Sequence, residues 1–597
     1  PLMQFQFQAD LARFLQEQFQ CEPFPVAVEL CPPEFAGDVT VSCFPFAKIL
    51  RRNPMQLAGQ VCEFLAAHPD IEKAEAVKAF VNLTLKPAVL MRDTIADPER
   101  LQAAVLLPES ERQRILIEFS APNTNKPQHL GHVRNNTVGM ATASILERAG
   151  HKVFRVNLVN DRGIHICKSM LAYQRFGEGT TPEKAGKKGD HLVGDFYVRF
   201  DQEFRKQIAE LKAKNPAFAD KDSDELFLET EIGRAAQQML QKWEQDDPEV
   251  RQLWQTMNQW VFDGFAETYR RMGVQFEHTY LESQTYTLGR DIILEGLENQ
   301  VFKRREDGAV IIEFDEPNLG SKVVLRSDGT SVYVTQDIGT TLLKQKDYQP
   351  DRQIWVVGDE QKYHFQVLFA ILKALGYSWA DQLTHMAYGM VNLPSGKMKS
   401  REGTVVDADD LFDEMADLAR EATLQRNKDE VPADLEERAQ VISMAALKFM
   451  LLKVNPKTTI LFDPQASIKF EGDTGPYVLY AYARISSMLR KAAEIADDGN
   501  TQIDWGLLED EAEKRLALRC ALFPETIHKA ARELDSSCLA AYLLDLAKDF
   551  STFYNRCSVL NASDPALRKT RLELSARVRN IIADGLHTLT IGTLESM

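Results

Sequence analysis

The sequence lacks several features that would assign it to a familiar class at once. Its 8 cysteines include no pair at Cys-x-x-Cys spacing, so zinc-ribbon and thioredoxin-type sites are unsupported and no zinc is expected. Positive charge is the minority, with 70 Lys and Arg against 87 Asp and Glu and a net charge of −17. This balance argues against a protein that coats nucleic acid through bulk positive charge, although it leaves a local basic face open.

Long hydrophobic runs are also missing. The richest apolar stretch, residues 441–454, is interrupted by Lys448 and Lys453 and is too short to cross a bilayer. The first residues show neither the basic nor the apolar part of a signal peptide. We therefore expect a soluble, cytoplasmic protein that makes no membrane contact.

The two common glycine-rich phosphate motifs are incomplete. The run Gly186-Lys187-Lys188 lacks the glycine that a P-loop needs five residues earlier, where Thr181 stands. A dinucleotide fingerprint that begins at Gly177 fails because Pro182 occupies the third glycine position. P-loop NTPases and nicotinamide dehydrogenases are therefore unsupported.

The 597 residues, of which 44% are hydrophobic and 26% charged, indicate several globular domains. The pattern of strands and helices predicts an α/β protein with a Rossmann-like parallel-sheet domain, an N-terminal α+β domain and a C-terminal all-α bundle. The predicted bounds are 1–108 for the α+β domain, 109–405 for the sheet domain with a helical insertion at about 175–285, 406–460 for a connecting helical segment, and 461–597 for the bundle. The strand-like runs of the sheet domain are residues 115–119, 153–159, 332–335, 354–357 and 386–391.

The strongest local motif is residues 118–132, Glu-Phe-Ser-Ala-Pro-Asn-Thr-Asn-Lys-Pro-Gln-His-Leu-Gly-His, which follows a predicted strand and precedes a predicted helix. Gly131 removes a side chain where a nucleotide could approach the backbone, and the helix N-terminus favours an anion. His129 and His132 are three residues apart and can donate hydrogen bonds to phosphate oxygens. A chance His-x-Gly-His match is expected only about 0.01 times in such a chain. The alternative is an ordinary strand-to-helix turn with two satisfied histidines.

This segment resembles the HIGH signature of class I aminoacyl-tRNA synthetases, and its wording is similar to the arginyl-tRNA synthetase branch. The second signature of that family, KMSKS, has a counterpart in residues 396–403, where Lys397 and Met398 fit but Lys399 and Ser400 depart from the usual pattern. The resemblance implies that Lys126 replaces the missing second lysine. Taken alone, residues 397–403 would be an ordinary solvated basic loop.

The resemblance implies a nucleotide site with two overlapping sets of residues. The catalytic residues would be His129, His132, Lys126 and Lys397, and the ATP-binding residues would be His129, Gly131, His132, Lys397, Met398 and Ser400. ATP would enter with Mg²⁺ as its substrate complex, and no tightly bound cofactor or protein-held metal is expected.

A third group of residues suits a guanidinium. In residues 331–337 the side chains of Tyr333, Thr335 and Asp337 are predicted to face one side of a strand, and a carboxylate fork is the preferred partner of a planar cation. The resemblance implies that the arginine site consists of Glu118, Asn123, Glu282, Tyr333, Asp337 and Gln361. Taken alone, Asp337 could equally be a capping carboxylate.

The predicted bundle carries a local excess of basic residues between positions 548 and 580. Basic groups and aromatic rings together suit single-stranded RNA loops, which makes Phe553, Tyr554 and Arg556 candidate tRNA contacts. The alternative is that the aromatic rings are core residues and the charges are solvated.

The resemblance implies an enzyme of the arginyl-tRNA synthetase family that acts as a monomer on L-arginine, ATP and the cognate tRNA. Two alternatives remain at this point. Another HIGH-type nucleotidyltransferase would not need the helical tail, and a non-catalytic tRNA-binding relative would lose motif residues.

Overall fold

The computed structural model describes residues 4–394, 406–495 and 499–597, and it begins with an α+β domain. Its elements are α1 (Gln6–Phe19), β1 (Glu29–Leu30), β2 (Val39–Ser42), α2 (Phe44–Leu50), α3 (Pro54–Ala66), β3 (Ile71–Val77), β4 (Phe80–Leu85), α4 (Pro87–Thr94) and α5 (Pro98–Val105). The strands pair antiparallel in the order β1-β2-β4-β3. Helix α3 buries Leu57, Val61 and Leu65, which recur at helical spacing along one face.

The next region alternates strands and helices. Its elements are β5 (Arg114–Glu118), α6 (Leu130–Arg148), β6 (Lys152–Val159), α7 (Ile164–Phe176), α8 (Pro182–Ala185), α9 (Gly189–Lys214), α10 (Glu231–Glu244), α11 (Pro248–Met272), β7 (His278–Leu281), α12 (Glu282–Thr285), α13 (Arg290–Glu298), β8 (Lys303–Arg304), β9 (Val310–Glu313), β10 (Ser321–Leu325), α14 (Tyr333–Tyr348), β11 (Arg352–Gly358), α15 (Lys362–Ala374), β12 (Leu383–Tyr388) and β13 (Val391–Asn392).

Five of these strands form the predicted parallel sheet, in the order β12-β11-β5-β6-β7. The chain runs outward from β5 through β6 to β7 and returns on the other side through β11 to β12. The order therefore reverses between β5 and β11. In open sheets of this kind, ligands bind outside the carboxyl ends of the strands at such a reversal. Helix α6 begins after β5 at this point.

Two smaller units flank the sheet. Helices α8–α11 form the predicted insertion and enclose their own apolar core, which includes Phe200, Trp243 and Phe265. Strands β8–β10 form a separate antiparallel sheet whose residues share a core with α13–α15. The insertion ends before β7, which returns the chain to the parallel sheet.

The remaining elements are almost entirely helical: α16 (Ala408–Arg426), α17 (Leu435–Leu452), β14 (Ile460–Leu461), α18 (Pro464–Ser467), α19 (Gly475–Ala493), α20 (Glu511–Ala521), α21 (Phe523–Glu533), α22 (Ser537–Arg556) and α23 (Pro565–Thr588). They share one continuous core with the N-terminal domain and α6. Lys514 of α20 contributes to this docking, because its ammonium lies 2.7 Å from the carboxylate of Asp38 and both side chains are buried. Among the described residues, the helices are all too short or too polar to span a bilayer.

A sequence prediction about one element was wrong. Residues 332–335 were predicted to form a strand, but helix α14 begins at Tyr333, with Val332 as its N-cap residue. Val334 and Thr335 are buried there, and the Thr335 hydroxyl donates to the carbonyl of Val324. Their β-branched side chains therefore pack against β10 from a helix.

Candidate active site

The predicted phosphate-binding segment crosses the carboxyl ends of β5 and β6. Backbone hydrogen bonds of 3.0 and 3.1 Å join the N–H of Asn160 to the carbonyl of Pro122 and the N–H of Thr124 to the carbonyl of Asn160. These bonds fix residues 122–124 beside the end of β6, and a turn at residues 124–125 then leads towards α6, which starts at Leu130. The side chains that follow β5 therefore lie at the reversal of the sheet.

His129 and His132 lie together at the start of α6, with ring centroids 4.0 Å apart. The Nδ1 atom of His129 accepts from the backbone N–H of Gly131 at 3.0 Å, and the Nδ1 atom of His132 accepts from the backbone N–H of His129 at 3.1 Å. An imidazole nitrogen that accepts cannot carry the proton, so each neutral ring is protonated at Nε2. Both Nε2–H groups remain as hydrogen-bond donors.

Both rings are uncharged at neutral pH. Burial, together with the nearby Lys126 ammonium, lowers the pKa of His129 to about 4. Burial holds the pKa of His132 well below its usual value, and His129 and Lys126 add to this effect. The positive charge next to the two donors therefore comes from Lys126. Neutral donors beside one fixed cation suit a polyanion.

Gly131 has a specific steric reason to be glycine. A Cβ at this position would lie 2.7 Å from Cε1 and 2.9 Å from Nδ1 of His129. The sequence analysis explained this glycine by the space that a nucleotide needs, but in the structure the neighbouring space is occupied by the His129 ring. Gly131 makes room for the His129 ring above the helix terminus.

The segment that precedes α6 is fixed by a distant part of the chain. The N–H of Leu130 donates to the carbonyl of Val406 at 3.0 Å, and the N–H of Ala408 donates to the carbonyl of Gln128 at 2.9 Å. Residues 406–408 directly follow the KMSKS-like motif in the sequence. The motif residues predicted to act on ATP, Lys397, Met398 and Ser400, lie outside the described residues.

Arg134 fixes the other flank of this region. Its guanidinium is fully buried and donates to four backbone carbonyls, those of Gly389, Met390, Pro456 and Thr458, at 2.6 to 3.0 Å. Helix α6 is thereby tied to the backbone that leads into each strand of the short parallel β13–β14 pair. The sequence offered no signal for this role.

A cavity of about 1020 Å³ opens beside the segment and contains three of the predicted arginine-binding residues, Asn123, Glu282 and Tyr333. Tyr333 projects from the first turn of α14 and is 76% exposed. Arg162 and Asp328 also line the cavity, and sequence reasoning did not select either for it. The Arg162 guanidinium lies 4.0 Å from the centre of the Tyr286 ring.

Asp337 lies one helical turn beyond Tyr333 and close to Glu282. Burial raises the pKa of Glu282, and the like charges of Asp161 and Asp337 raise it further against the opposing charge of Arg162. A carboxylate whose ionised form is disfavoured by burial and by like charges is stabilised by a nearby cation. Asp337 also contacts His364 at the start of α15, and the distance from Asp337 Oδ2 to His364 Nε2 is 2.5 Å. Gln361 is exposed immediately before that helix.

Glu118 was predicted to bind arginine, but its side chain has a different contact in the structure. Its carboxylate accepts a 2.5 Å hydrogen bond from the Lys344 ammonium of α14, and both side chains are buried. Lys344 in turn lies 4.4 Å from the centre of the Trp355 ring. The side chain therefore holds β5 against α14, beneath the cavity, and it does not line the cavity in this structure.

The predicted tRNA contacts divide into two groups. Phe553 has no exposed surface and packs in the core of the helical region, which is inconsistent with a base contact, so the alternative of a core aromatic is correct for this ring. Tyr554 and Arg556 are exposed on α22. The guanidinium of Arg484, on α19, lies 4.1 Å from the centre of the Tyr554 ring. The sequence analysis missed Arg484 because the two residues are distant along the chain.

The parallel sheet with its order reversal, together with the paired histidines at the start of α6, defines a class I aminoacyl-tRNA synthetase. The family described as "tRNA synthetases class I (R), catalytic domain" matches residues 99–463. The "Arginyl tRNA synthetase N terminal domain" matches residues 5–85, and the "DALR anticodon binding domain" matches residues 478–597.

Relatives that are similar over nearly the whole chain identify the family within this class. The chain is 44% identical to the arginine–tRNA ligase of Parabacteroides distasonis over 96% of both proteins, and 44% identical to that of Bacteroides thetaiotaomicron over 95% of this chain and 94% of the relative. The solved Thermus thermophilus arginyl-tRNA synthetase superposes with a TM-score of 0.73 at 26% identity and 99% coverage of both chains. The chain belongs to the arginyl-tRNA synthetase family, whose members use ATP to join arginine to tRNA.

Proposed function

We propose that the segment 126–132 binds the triphosphate of ATP while the carboxylate of arginine attacks the α-phosphate and pyrophosphate leaves. The nucleophile is already ionised, so no general base is needed, and the protein contributes positioning and charge neutralisation. The Nε2–H groups of His129 and His132 donate to the phosphate on which charge develops. Lys126 neutralises the remaining charge, and Mg²⁺ accompanies ATP as part of the substrate.

The observation that supports this proposal best is the pair of backbone N–H groups that occupy Nδ1 of both histidines. They fix the tautomer before substrate arrives, so no reorganisation is needed during the reaction. Lys397, Met398 and Ser400 stay predicted ATP contacts on the sequence resemblance alone.

The guanidinium of arginine is proposed to lie between Asp337 and Glu282, with Tyr333 against its side chain. Two neighbouring carboxylates favour the binding of a planar cation that can form hydrogen bonds with both of them. Asn123 and Gln361 would complete the site from the ends of β5 and β11. Glu118 contributes by holding α14 through Lys344, in place of the direct contact that the resemblance implied.

In the second step, a hydroxyl of the terminal ribose of tRNA attacks the arginyl carbonyl of the adenylate, the ester forms, and AMP leaves. The exposed Tyr554 ring with the half-buried Arg484 guanidinium against it suits an unstacked base of an RNA loop. Arg556, exposed further along α22, donates to Asp510 and would offer its remaining N–H groups to a phosphate. A monomer is proposed as the active unit. A tRNA substrate favours a cytoplasmic location, where translation takes place.

Pyrophosphate exchange with each amino acid in turn, with and without total tRNA, tests this function. Only arginine should support exchange, and the arginyl product should appear on tRNA. Absence of exchange with every amino acid, alongside retained tRNA binding, would favour the non-catalytic relative. Exchange with another acid and no transfer to tRNA would favour a different nucleotidyltransferase.

A further inference from the structure

A half-buried ionic cluster lies where the helical insertion meets α16, outside the arginine cavity. We call it the Lys188 cluster; its members are Lys188, Asp190, His191, Asp407 and Asp409. The Lys188 ammonium lies 2.7 Å from Asp409 Oδ2 and 3.2 Å from Asp190 Oδ2. The Nε2 atom of His191 lies 2.9 Å from Asp409 Oδ2 and 3.6 Å from Asp407 Oδ2.

The surrounding backbone is shaped to accommodate this cluster. Asp190 is fully buried, and a Cβ on Gly264 of α11 would lie 2.4 Å from its Oδ1 atom. The Thr268 hydroxyl accepts from Lys188 at 2.6 Å and lies 3.3 Å from Asp409 Oδ1. Donor atoms of Asp190, His191 and Asp409 lie within 4.8 Å of one another. Because the Lys188 ammonium already binds both carboxylates, the cluster is an ion-pair network and not a metal site.

The cluster is connected to the phosphate-binding segment on two sides. Asp407 caps α16 by accepting from the N–H groups of Asp409 and Asp410, and its neighbours Val406 and Ala408 pair with the backbone of residues 128–130. On the other side, α9 packs closely against the same segment, since a Cβ on Gly194 would lie 2.8 Å from Cδ of Pro127. The Lys188 cluster joins these two supports.

We propose that Lys188 and His191 are positioning residues for the activation step: through Asp409 they hold α9 and residues 406–408 against both sides of segment 126–130. This inference rests on the proposed role of that segment in binding ATP. Neither side chain is among the residues of the arginine cavity. Weakening the cluster should therefore affect ATP and spare arginine.

The protonation of His191 gives the cluster a pH dependence. Burial opposes protonation, but the hydrogen bond to Asp409 and the charges of Asp407 and Asp190 outweigh it, so the pKa of His191 is raised. Burial alone would raise the pKa of Asp409, but hydrogen bonds from His191 and Lys188 lower it to about 2. The ion pair is thus complete below the raised pKa of His191 and is lost as the pH rises through it. The other charged groups that face the cluster are Lys187 just before α9, Asp195 on α9, Glu267 and Arg271 on α11, and Asp410 and Asp413 on α16.

The variant His191→Gln tests the proposal, because glutamine keeps a hydrogen-bond donor but cannot be charged. The KM for ATP in tRNA-supported pyrophosphate exchange is measured from pH 6 to 8.5, with the KM for arginine beside it. The parent KM for ATP should rise about three- to thirtyfold across this range. The variant should show the high KM for ATP at every pH, and its KM for arginine should equal that of the parent at each pH. His278→Gln, on an exposed residue at the start of β7, is the matched control and should keep the parental pH profile.

Calorimetric binding of Mg·ATP to the same proteins is the second readout, and it does not depend on any amino acid. If the parent fails to exchange but its ATP affinity still falls with pH in a His191-dependent way, the proposed function is wrong and the cluster proposal survives. If His191→Gln keeps the parental pH profile for ATP, or if the KM for arginine shifts equally, the cluster proposal is overturned. Asp409→Asn should also lower the affinity for ATP, which would show that the effect comes from loss of the ion pair and not from the glutamine introduced at position 191.

Discussion

Asp337 and His364 are joined side chain to side chain, 2.5 Å from Oδ2 to Nε2, across the start of helices α14 and α15. Both side chains are partly accessible, at 35% and 29%. The hydrogen bond to Asp337 raises the pKa of His364, in spite of the opposing effect of burial. A carboxylate has two oxygens, so His364 orients one and leaves the other for a guanidinium.

The pair predicts that arginine binding depends on pH. A protonated His364 competes with the guanidinium for Asp337, and its proton is lost as the pH rises through the raised pKa. The KM for arginine should therefore fall between pH 6 and 8.5, measured by pyrophosphate exchange. In His364→Gln, which retains a donor to Asp337 without charge, this dependence should disappear. A variant that keeps the parental slope would show that the competition is absent, and His191→Gln serves as a control because its arginine profile should be parental.

The variant Asp337→Asn should lose selectivity for arginine. A neutral amide does not attract a cation, so kcat/KM for arginine should fall by about 10² to 10⁴. The advantage of arginine over uncharged citrulline should narrow accordingly. Both are read from pyrophosphate exchange with the two amino acids.

The control for this experiment follows from the structure. Asp328 appears from the sequence to be a remote turn residue, but it lines the arginine cavity and would be a poor control. Asp315→Asn, in the exposed loop between β9 and β10, should leave the selectivity ratio unchanged. If Asp337→Asn also leaves it unchanged, Glu282→Gln becomes the decisive variant.

The wrong prediction of a strand at residues 332–335 still placed Tyr333 and Asp337 on one face, and the reason is geometric. Positions 333 and 337 face the same way in a strand, where the period is 2, and also in a helix, where four residues make about one turn. Tyr333 and Asp337 are therefore correctly grouped on a helix that was taken for a strand. Thr335, which shares their face only in a strand, is buried on the opposite side of α14.

The histidine pair was predictable because its contacts are local. His129, Gly131 and His132 are arranged by one turn of helix, and their spacing is visible in the sequence. Glu118 and Lys344 are 226 residues apart, and Asp337 and His364 are 27 apart. No local pattern indicates such partners, which depend on how α14 and α15 pack on the sheet.

The Glu118–Lys344 pair gives a stability prediction. In Lys344→Met the buried carboxylate of Glu118 loses its partner, and the cost should be about 3 to 5 kcal/mol. The double variant Glu118→Leu with Lys344→Met, which leaves no buried charge, should regain most of that loss. Calorimetric unfolding of the three proteins measures this. Equal stability of parent and Lys344→Met would mean that Glu118 is neutral or hydrated in the native protein.

His132→Ala should impair the rate of activation far more than ATP binding. The Nε2–H group acts on charge that develops at the phosphate, so kcat should fall on the order of a hundredfold while the KM for ATP changes little. Pyrophosphate exchange at saturating arginine and tRNA separates the two constants. A rise in KM with an unchanged kcat would assign His132 to ground-state binding instead.

Gly131→Ala tests the preorganisation of the pair without removing either imidazole. The added Cβ would lie 2.7 Å from Cε1 and 2.9 Å from Nδ1 of His129, so the ring must move away from the helix terminus. Movement breaks the 3.0 Å hydrogen bond from the Gly131 N–H and frees the tautomer. We expect kcat to fall roughly as far as in His132→Ala, by about a hundredfold, because the donor no longer points at a fixed position. The matched control is Gly59→Ala in helix α3, where a Cβ meets no atom within 4 Å and alanine should stabilise the helix by about 0.5 to 1 kcal/mol. If Gly131→Ala retains the parental kcat while the control behaves as expected, the fixed orientation of His129 does not limit the activation step.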